Sequence, residues 1–374
     1  MVSCYAIVNV MDTKNYTPIS TASSTDNYEN ITVEIQKLEG MLHKADIPHD
    51  LWEKANMQLQ RINLTLRYGG NINQLDMLVK YVEWITELPW AKRSKDLLDI
   101  EAAKRAMNDN HYGLDKIKAR VLEYISVLML QQQKKELGRF HAPVLFFVGL
   151  AGTGKTTFAR SIAEALGRQF ARIPFGGLSS ALDLRGMSKV QPEAEPGQIL
   201  KALRRVGTKN PVILLDELDR IAPSAQGEIM GVLLELLDPE QNGHFIDHYV
   251  DYPFDLSEVI FVATANNTRS ISTAVLDRLE IIQMPSYTDE EKIHIASHYL
   301  LPRLLNDSGM APDALQVEDP VWKHVARLSG YDPGIRSVER KVESMVRNAA
   351  FRTVTGKGQK FVISEGNAKE FIEE

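Results

Sequence analysis

A short segment in the first half of the 374-residue chain combines glycines with a lysine and a threonine. Residues 149–156 read G-L-A-G-T-G-K-T and directly follow the apolar run 144–148. The glycines let the backbone turn sharply, so that successive N–H groups point at one anion. Lys155 can hold the terminal phosphates of a nucleotide, and the hydroxyl of Thr156 can bind Mg²⁺. The spacing therefore predicts a phosphate-binding loop for ATP and Mg²⁺. The expected nucleotide contacts are Gly149, Gly152, Thr153, Gly154, Lys155, Thr156 and Thr157.

A second apolar segment, 211–216, ends in two acids, Asp216 and Glu217. We expect Asp216 to hold Mg²⁺ together with Thr156, either directly or through water. Glu217 is placed to polarise a water for attack on the γ-phosphate. Phosphoryl transfer needs this division of labour because most of its catalysis is positioning and charge neutralisation. Two acids after an apolar run are a weak signal alone, since strands often end in solvated acids. Their position downstream of the phosphate-binding loop makes the signal strong.

Further polar residues could complete the reaction. Asn266 ends a third apolar run and could orient the attacking water, although such a residue can also cap a strand as a turn residue. Arg278 could reach the γ-phosphate of a neighbouring subunit and stabilise the charge of the transition state. The alternative for Arg278 is a surface ion pair. Arg336 lies in the C-terminal helical part, where it could sense the nucleotide of its own chain.

The apolar segments alternate with helical patterns, and this alternation predicts the element types that position these residues. Strands are expected at 144–148, 170–173, 211–216, 259–265 and 280–284. The alternation predicts an α/β fold with a mostly parallel sheet and helices on both faces. Thr288 and Glu291 have the spacing of a capping box, which predicts the start of the next helix.

The pattern divides the chain into four predicted regions. They are a disordered tail at 1–28, an N-terminal helical domain at 29–92, an α/β nucleotide-binding domain at 93–285 and a helical lid at 286–374. Apolar residues three and four apart predict amphipathic helices in the second region. These helices are expected at 31–45, at 49–67 and around 72–85. In the third region, a linker helix is expected at 96–107 and a long helix at 115–135.

Composition and charge argue against several classes of protein. The chain has 43 Lys and Arg against 49 Asp and Glu, a net charge of −6, so nucleic acid is not indicated as a partner. The single cysteine, Cys4, excludes an internal disulfide and fits a reducing compartment. No apolar segment approaches the roughly 20 residues that span a bilayer. The sequence therefore predicts a cytoplasmic protein without a membrane partner.

The ordered set of segments resembles the AAA+ ATPases, and within them the Lon protease family. The segments that carry this resemblance are 88–90, 109–114, 214–219, 237–241, 247–249, 261–266 and 334–340. The resemblance covers about residues 70–374. It implies an AAA+ core, a ring oligomer that is usually a hexamer, and nucleotide at the subunit interfaces.

The resemblance also implies individual roles. Residues 149–156 would be Walker A, Asp216 and Glu217 Walker B, Asn266 sensor 1, Arg278 the arginine finger and Arg336 sensor 2. Tyr112 and Gly113 would lie near the adenine.

The sequence departs from the family pattern at several points. The chain stops where a Lon protein would begin its protease domain, so the Ser-Lys dyad is expected to be absent. The family's N-terminal β-rich substrate domain is also expected to be absent. Residues 186–197 match the first pore loop of the family, which carries an aromatic residue followed by an aliphatic residue just before a proline-glycine pair. Here the aromatic position is Gln191, and the next residues are Pro192 and Glu193. Residues 150–151 replace two prolines of the family, which should spare phosphate binding.

These observations leave three hypotheses open. The first is an ATP-hydrolysing remodelling protein that acts on an unknown protein partner and is not a peptidase. The second is a nucleotide-dependent assembly or regulatory scaffold that docks a partner without threading it, which the polar loop around Gln191 favours. A third is that the chain is an excised fragment of a full protease. Another loop, around Phe245 and Ile246, could replace 186–197 in gripping a substrate.

Overall fold

The computed structural model describes residues 24–67, 73–133, 143–191, 193–328 and 332–372. The N-terminal helical domain contains α1 (Ser24–Lys44), α2 (His49–Arg67) and α3 (Asn73–Glu87). These helices pack against one another. Residues three and four apart share one helix face, which gives each helix an apolar stripe. Leu38, Leu51 and Val82 are buried where these stripes meet.

The first helix begins earlier than the sequence pattern indicates. The polar composition assigns residues 24–28 to the tail, but α1 includes them. Residues 24–27 are Ser, Thr, Asp and Asn, which are residue types that favour a helix N-terminus. This preference is a physical reason for the earlier start. The rest of the predicted tail, 1–23, lies outside the described residues.

The α/β domain is built on a parallel sheet. Its helices are α4 (Ile100–Asn110), α5 (Asp115–Gln133), α6 (Lys155–Leu166), α7 (Leu182–Arg185), α8 (Gln198–Val206), α9 (Gln226–Leu236) and α10 (Thr273–Leu276). Its strands are β1 (Val144–Val148), β2 (Phe170–Pro174), β3 (Val212–Asp216), β4 (Phe245–Asp247), β5 (Tyr252–Phe254), β6 (Ile260–Ala265) and β7 (Leu279–Gln283). The strands β2, β3, β6, β1 and β7 lie side by side in that order, and all are parallel. The predicted α/β fold with a parallel sheet is confirmed.

Helices cover both faces of this sheet. Phe146 belongs to one hydrophobic cluster, which includes residues of α8 and α9. Its neighbours Leu145 and Phe147 belong to a second cluster with residues of α5 and α6. The strands β1, β3 and β6 are therefore buried at every residue, which explains their continuous apolar sequences.

The strand order places the predicted site residues along one edge of the sheet. The strand β6 lies between β3 and β1, and its register pairs Ala263 with Leu215 and Ala265 with Val148. The carboxyl ends of these strands therefore lie next to one another. Ligands of open parallel sheets bind at this edge.

Two local differences from the sequence pattern have clear causes. The antiparallel pair of β4 and β5 was not predicted, because strands of three residues are too short to show periodicity. The helix predicted at 96–107 begins only at Ile100. The side chain of Asp99 accepts hydrogen bonds from the backbone N–H groups of Glu101 and Ala102, and this cap sets the start of α4.

The lid has its own hydrophobic core. It contains α11 (Asp289–Ile295), a π-helical turn (Ala296–Leu300), α12 (Leu301–Asp307), α13 (Asp319–Leu328), α14 (Arg336–Val354) and α15 (Ala368–Phe371). A parallel pair, β8 (Leu315–Val317) and β9 (Phe361–Ile363), was not predicted. The predicted capping box is confirmed, since Thr288 and Glu291 exchange both hydrogen bonds at 2.8 and 3.2 Å. Trp322, Val342 and Met345 are buried in this core.

The N-terminal helical domain packs directly on the α/β domain. The hydroxyl of Tyr81 donates a hydrogen bond to the carbonyl of Val250 at 3.2 Å. The ring of Trp90 lies 4.9 Å from that of Phe254. Among the described residues, no helix is long and apolar enough to cross a membrane.

Candidate functional site

The predicted phosphate-binding loop, 149–156, connects β1 to the start of α6. Gly152 and Gly154 have φ angles of 80° and 93°, a left-handed conformation that side chains with a Cβ rarely adopt. A Cβ on Gly149 would lie 2.7 Å from Met284, so only glycine fits there. These constraints explain why the glycines occupy these positions.

Lys155 lies at the centre of this loop and is buried. Its ammonium donates hydrogen bonds to the carbonyls of Gly149 at 2.5 Å and Leu150 at 2.8 Å. It also donates to the side-chain oxygen of Asn266 at 3.2 Å, so the structure brings these two predicted site residues together. Burial lowers the pKa of Lys155 despite nearby acids, and the charge of Arg336 lowers it further.

The two predicted acids lie where β3 ends. Asp216 is buried, and its carboxylate accepts one hydrogen bond from the hydroxyl of Thr264 and another from Arg172, whose Nε lies 2.6 Å away. Glu217 follows in a left-handed conformation with φ 60°. Its carboxylate pairs with Arg220 at 3.2 Å. Both acids are therefore held in defined positions beside the phosphate-binding loop.

Sequence reasoning missed Thr264 and Arg172. Thr264 interrupts the apolar run 260–265, and Arg172 interrupts β2. For Thr264, a polar residue inside a buried strand is a signal in itself, because buried polar groups need partners. Arg172 lies at an exposed position of β2 and gives no such signal. The identity of the partner depends on the order of the strands, which the sequence pattern does not contain.

The lid contacts the phosphate-binding loop through residues around Gly334. A Cβ on Gly334 would lie 2.4 Å from the carbonyl oxygen of Ala151 and 2.6 Å from the carbonyl carbon of Gly152. The N–H of Ile335 donates to the carbonyl of Gly152 at 3.1 Å. The hydroxyl of Tyr287 donates to the carbonyl of Thr153 at 3.3 Å. The loop is therefore enclosed between the α/β domain and the lid.

A cavity of about 160 Å³ lies between the loop and the lid. It is lined by Gly152, Gly154, Lys155, Thr156, Thr157, Ile335, Arg336 and Glu339. The structure thus brings Arg336 to the predicted phosphate-binding residues, although 180 positions separate it from Thr156.

The segment predicted to lie near the adenine is held between α6 and the lid. The ring of Tyr112 stacks on His294 of α11 at 3.9 Å, and Gly113 has a φ of 61°. The neighbouring His111 is buried and stacks on Phe158 of α6 at 3.7 Å. Burial, and then the charge of Lys118, lowers the pKa of His111 to about 4, so this ring is neutral near pH 7. Tyr112 and Gly113 do not line the 160 Å³ cavity, and their contact with adenine stays a prediction.

Arg278 makes contacts within its own chain. Its guanidinium donates to the carbonyl of Ala274 at 2.9 Å and forms an ion pair with Asp238 at 3.4 Å. The side chain is 35% exposed. The ion pair that the sequence offered as an alternative is present, and a role at a neighbouring subunit stays a prediction.

The residues present fit a nucleotide polyphosphate with Mg²⁺. The left-handed Gly152 and Gly154 leave room where a Cβ would intrude, and the positive charge of Lys155 faces the loop. Thr156 and Asp216 offer the oxygen ligands that Mg²⁺ prefers, and Mg²⁺ usually takes one or two protein ligands plus phosphates. Across the described part of the chain, no group of three or more His, Cys, Asp or Glu could hold a metal ion by itself.

Comparison with known proteins agrees with this geometry. Residues 145–287 match the family described as "ATPase family associated with various cellular activities (AAA)". The chain is therefore similar to AAA ATPases over this region. It is also 41% identical over 339 residues to a Lon protease of Lawsonia intracellularis, covering 91% of this chain and 40% of that protein. Lon protease 2 of Thermus thermophilus is 39% identical over 346 residues, covering 91% of this chain and 42% of that protein.

The chain spans about two fifths of the length of the relatives it matches. The matches confirm the resemblance to the AAA and Lon families. They extend well beyond 145–287 and therefore include residues of the helical domain or the lid.

Proposed function

We propose that this chain binds ATP with Mg²⁺ and hydrolyses it. The observation that carries the proposal is the contact between Lys155 and Asn266, with Asp216 and Glu217 at the end of the adjacent strand. The order of the strands β3, β6 and β1 brings a phosphate-binding cation, a polar amide and two acids to one edge of the sheet. The test is phosphate release from ATP in the presence and absence of Mg²⁺, with Lys155→Ala as the background.

Each residue has a distinct part in this proposal. The N–H groups of 152–156 and the ammonium of Lys155 bind the phosphates, aided by the positive end of α6. Glu217 orients the attacking water and accepts its proton, while Asn266 fixes the direction of attack. Arg336 holds the nucleotide from the lid. Bound Mg²⁺ would supply charge neutralisation of the phosphates, with Thr156 and Asp216 as its protein ligands.

We also propose that the chain works as a ring, most simply a hexamer, with Arg278 acting on the nucleotide of a neighbouring subunit. Arg278 is held by one hydrogen bond to the carbonyl of Ala274 and by an ion pair with Asp238 that is long and partly exposed, and a pair of this kind contributes little. Such a side chain can leave its partner when a phosphate of higher charge is presented. An arginine supplied by a neighbour raises phosphoryl transfer by orders of magnitude in related chemistry.

Mixing two inactive variants tests this arrangement. Arg278→Ala and Lys155→Ala should each hydrolyse ATP poorly, but an equal mixture should recover about a quarter of wild-type activity, because about a quarter of the interfaces of a symmetric ring then pair an intact loop with an intact arginine. The measurement is phosphate release after co-refolding or subunit exchange. Arg347→Ala, at an exposed site on α14, is the control and should behave as wild type. A mixture no more active than its two components means that Arg278 does not act in trans.

We propose that ATP hydrolysis drives the remodelling of a protein partner. The second candidate is a nucleotide-dependent scaffold, and the packing of segment 186–197 favours it. Lys189 lies 4.1 Å above the ring of Tyr81 in α3. Gln191 and Lys80, which also belongs to α3, line the same cavity. The segment thus rests on the helical domain in this structure.

The alternative gripping residue, Phe245, does not suit that role. Its side chain is fully buried, and Arg185 lies over its ring at 5.6 Å. Phe245 therefore belongs to the core of the α/β domain, and its ring is not available to a substrate in this structure. Ile246, which is 43% exposed, is the accessible residue of that strand.

We expect little ATP-driven unfolding of a stably folded, tagged test protein. A threading motor needs apolar contact area on its pore loop, and Gln191 offers much less than an aromatic residue. The double variant Gln191→Tyr with Pro192→Ile should unfold the test protein faster, measured by loss of its fluorescence. Glu217→Gln in the same background is the control, since unfolding that persists in it is not driven by ATP. Rapid unfolding by the wild type, unchanged by Gln191→Ala, would contradict this expectation.

Three further parts of the proposal concern peptidase activity, other partners and location. We propose that these 374 residues work as an ATPase and not as a peptidase, because the side chains brought together here are those of phosphate chemistry. The relatives are named proteases, and a protease is one class of partner for such an ATPase. We propose no nucleic-acid partner, given the net charge of −6. The single cysteine in the sequence supports a cytoplasmic location.

A further inference from the structure

One buried hydroxyl joins the two acids of the proposed site. Thr264 lies in β6 and is fully buried. Its hydroxyl donates a hydrogen bond to the Oδ1 atom of Asp216. The same oxygen accepts a hydrogen bond from the backbone N–H of Glu217 at 3.0 Å. The hydroxyl therefore donates one hydrogen bond to Asp216 and accepts another from Glu217.

The sheet register explains this contact. Leu215 of β3 lies opposite Ala263 of β6, so Asp216 and Thr264 follow as the next neighbours. Side chains of neighbouring residues in paired parallel strands lie on the same face. The Thr264 hydroxyl thus reaches Asp216 from within the sheet, on a rigid element rather than a loop.

The contact also bears on the backbone of Glu217. This residue has φ 60° and ψ 52°, which is disfavoured for residues with a side chain. Its N–H is bound by Thr264, and its carboxylate lies beside Arg220. A disfavoured conformation persists only where the surroundings hold it, and such residues cluster at functional sites.

The other partner of Asp216 is less firmly placed. Arg172 donates from Nε to the Oδ2 atom at 2.6 Å, but its side chain is 52% exposed. An exposed ion pair is readily exchanged with solvent or with another cation. The bond from Thr264, by contrast, is shielded from water on a central strand.

We propose that Thr264 is a positioning residue for the proposed ATP hydrolysis. Its hydroxyl fixes the rotation of the Asp216 carboxylate and, through the N–H of Glu217, the direction in which the Glu217 side chain leaves the strand. The inference rests on the proposed function. It adds that the two acids are set as a unit by one hydroxyl, so removal of that hydroxyl affects both.

Thr264→Val tests the hydroxyl, because valine has nearly the same shape but neither donates nor accepts. We expect kcat for ATP to fall by about ten- to a hundredfold, since misplacement of catalytic groups by about 1 Å costs that much. KM for ATP should change by less than about threefold, because the hydrogen bonds of the Thr264 hydroxyl go to the two acids. Thr264→Ser keeps the hydroxyl and should recover most of kcat, which loss of packing alone would not allow. Thr353→Val, whose hydroxyl bonds the carbonyl of Ala349 in α14, is the matched control.

A second measurement does not depend on hydrolysis. Mn²⁺ binding in the presence of a non-hydrolysable ATP analogue, followed by electron paramagnetic resonance, reports on the carboxylate of Asp216. Thr264→Val should weaken Mn²⁺ by about tenfold and Thr264→Ser by much less, as outer-sphere partners of metal ligands do. Circular dichroism checks folding. Should the valine variant not fold, Thr264→Cys takes its place, since a thiol is a weak donor of similar size.

Failure of ATP hydrolysis and failure of the positioning role of Thr264 give different results. Wild-type protein that binds the analogue with Mn²⁺ but releases no phosphate refutes the proposed hydrolysis, and the Mn²⁺ comparison then decides the role of Thr264. Folded Thr264→Val with wild-type kcat and wild-type Mn²⁺ affinity overturns the positioning role. So does a serine variant as impaired as the valine variant. Wild-type protein that binds no nucleotide overturns both proposals.

Discussion

Replacing Glu217 with glutamine should lower ATP turnover by about a hundredfold or more, because a positioned general base contributes that much to proton transfer. Glutamine has the same length but cannot accept the proton of the attacking water. ATP should still bind, since Lys155 and the loop glycines are untouched. The measurement is kcat by phosphate release, together with the dissociation constant of a fluorescent ATP analogue.

A matched control separates this effect from a general loss of charge. Glu228 lies exposed near the start of α9, and Glu228→Gln should keep wild-type kcat. The ion pair between Glu217 and Arg220 is partly exposed, so its loss should change the stability of the fold by less than about 1 kcal/mol. Equal turnover by Glu217→Gln and Glu228→Gln would remove Glu217 from the chemistry.

Adding one methyl group at Gly334 should weaken ATP binding by about tenfold or more and destabilise the fold by about 1–3 kcal/mol, the usual cost of overpacking. The added Cβ would lie 2.4 Å from the carbonyl oxygen of Ala151. This oxygen belongs to the backbone, so either the phosphate-binding loop or the start of α14 must move. The measurements are a denaturant titration and a titration with the ATP analogue.

Gly231→Ala provides the control for a glycine-to-alanine change. Gly231 lies in the middle of α9, and a Cβ there would meet nothing within 4 Å. Alanine should stabilise this helix by up to about 1 kcal/mol relative to glycine and leave ATP affinity unchanged. Wild-type affinity in Gly334→Ala would show that contact between lid and loop is not needed for binding.

Much of the α/β domain could be predicted from the sequence because its central strands are buried on both faces. Continuous apolar runs bounded by turn residues predict Val144–Val148 and Ile260–Ala265 to within one residue. The phosphate-binding loop was predictable because its chemistry demands particular residue types at fixed spacing. The capping box at Thr288 was predictable for the same reason, since both of its hydrogen bonds are local in sequence.

The remaining features depend on contacts between distant segments. Thr264 meets Asp216 only because β6 lies beside β3, an order that no local pattern encodes. Phe245 looks like a loop residue in sequence, but its strand pairs with β5 and its ring is buried. The closeness of Gly334 to the phosphate-binding loop likewise requires the lid to fold back. Local sequence reasoning therefore identified the chemical groups better than the contacts that hold them.

We infer that this chain hydrolyses ATP at a site completed by a second copy of itself. The rate of phosphate release per subunit, measured with Mg²⁺ over a range of protein concentrations alongside sedimentation, tests this directly. We expect Mg²⁺-dependent release that clearly exceeds the Glu217→Gln background and rises per subunit as the chain assembles. Release no greater than that background at concentrations where the chain is oligomeric, or equal activity per subunit in a monomer, would contradict it.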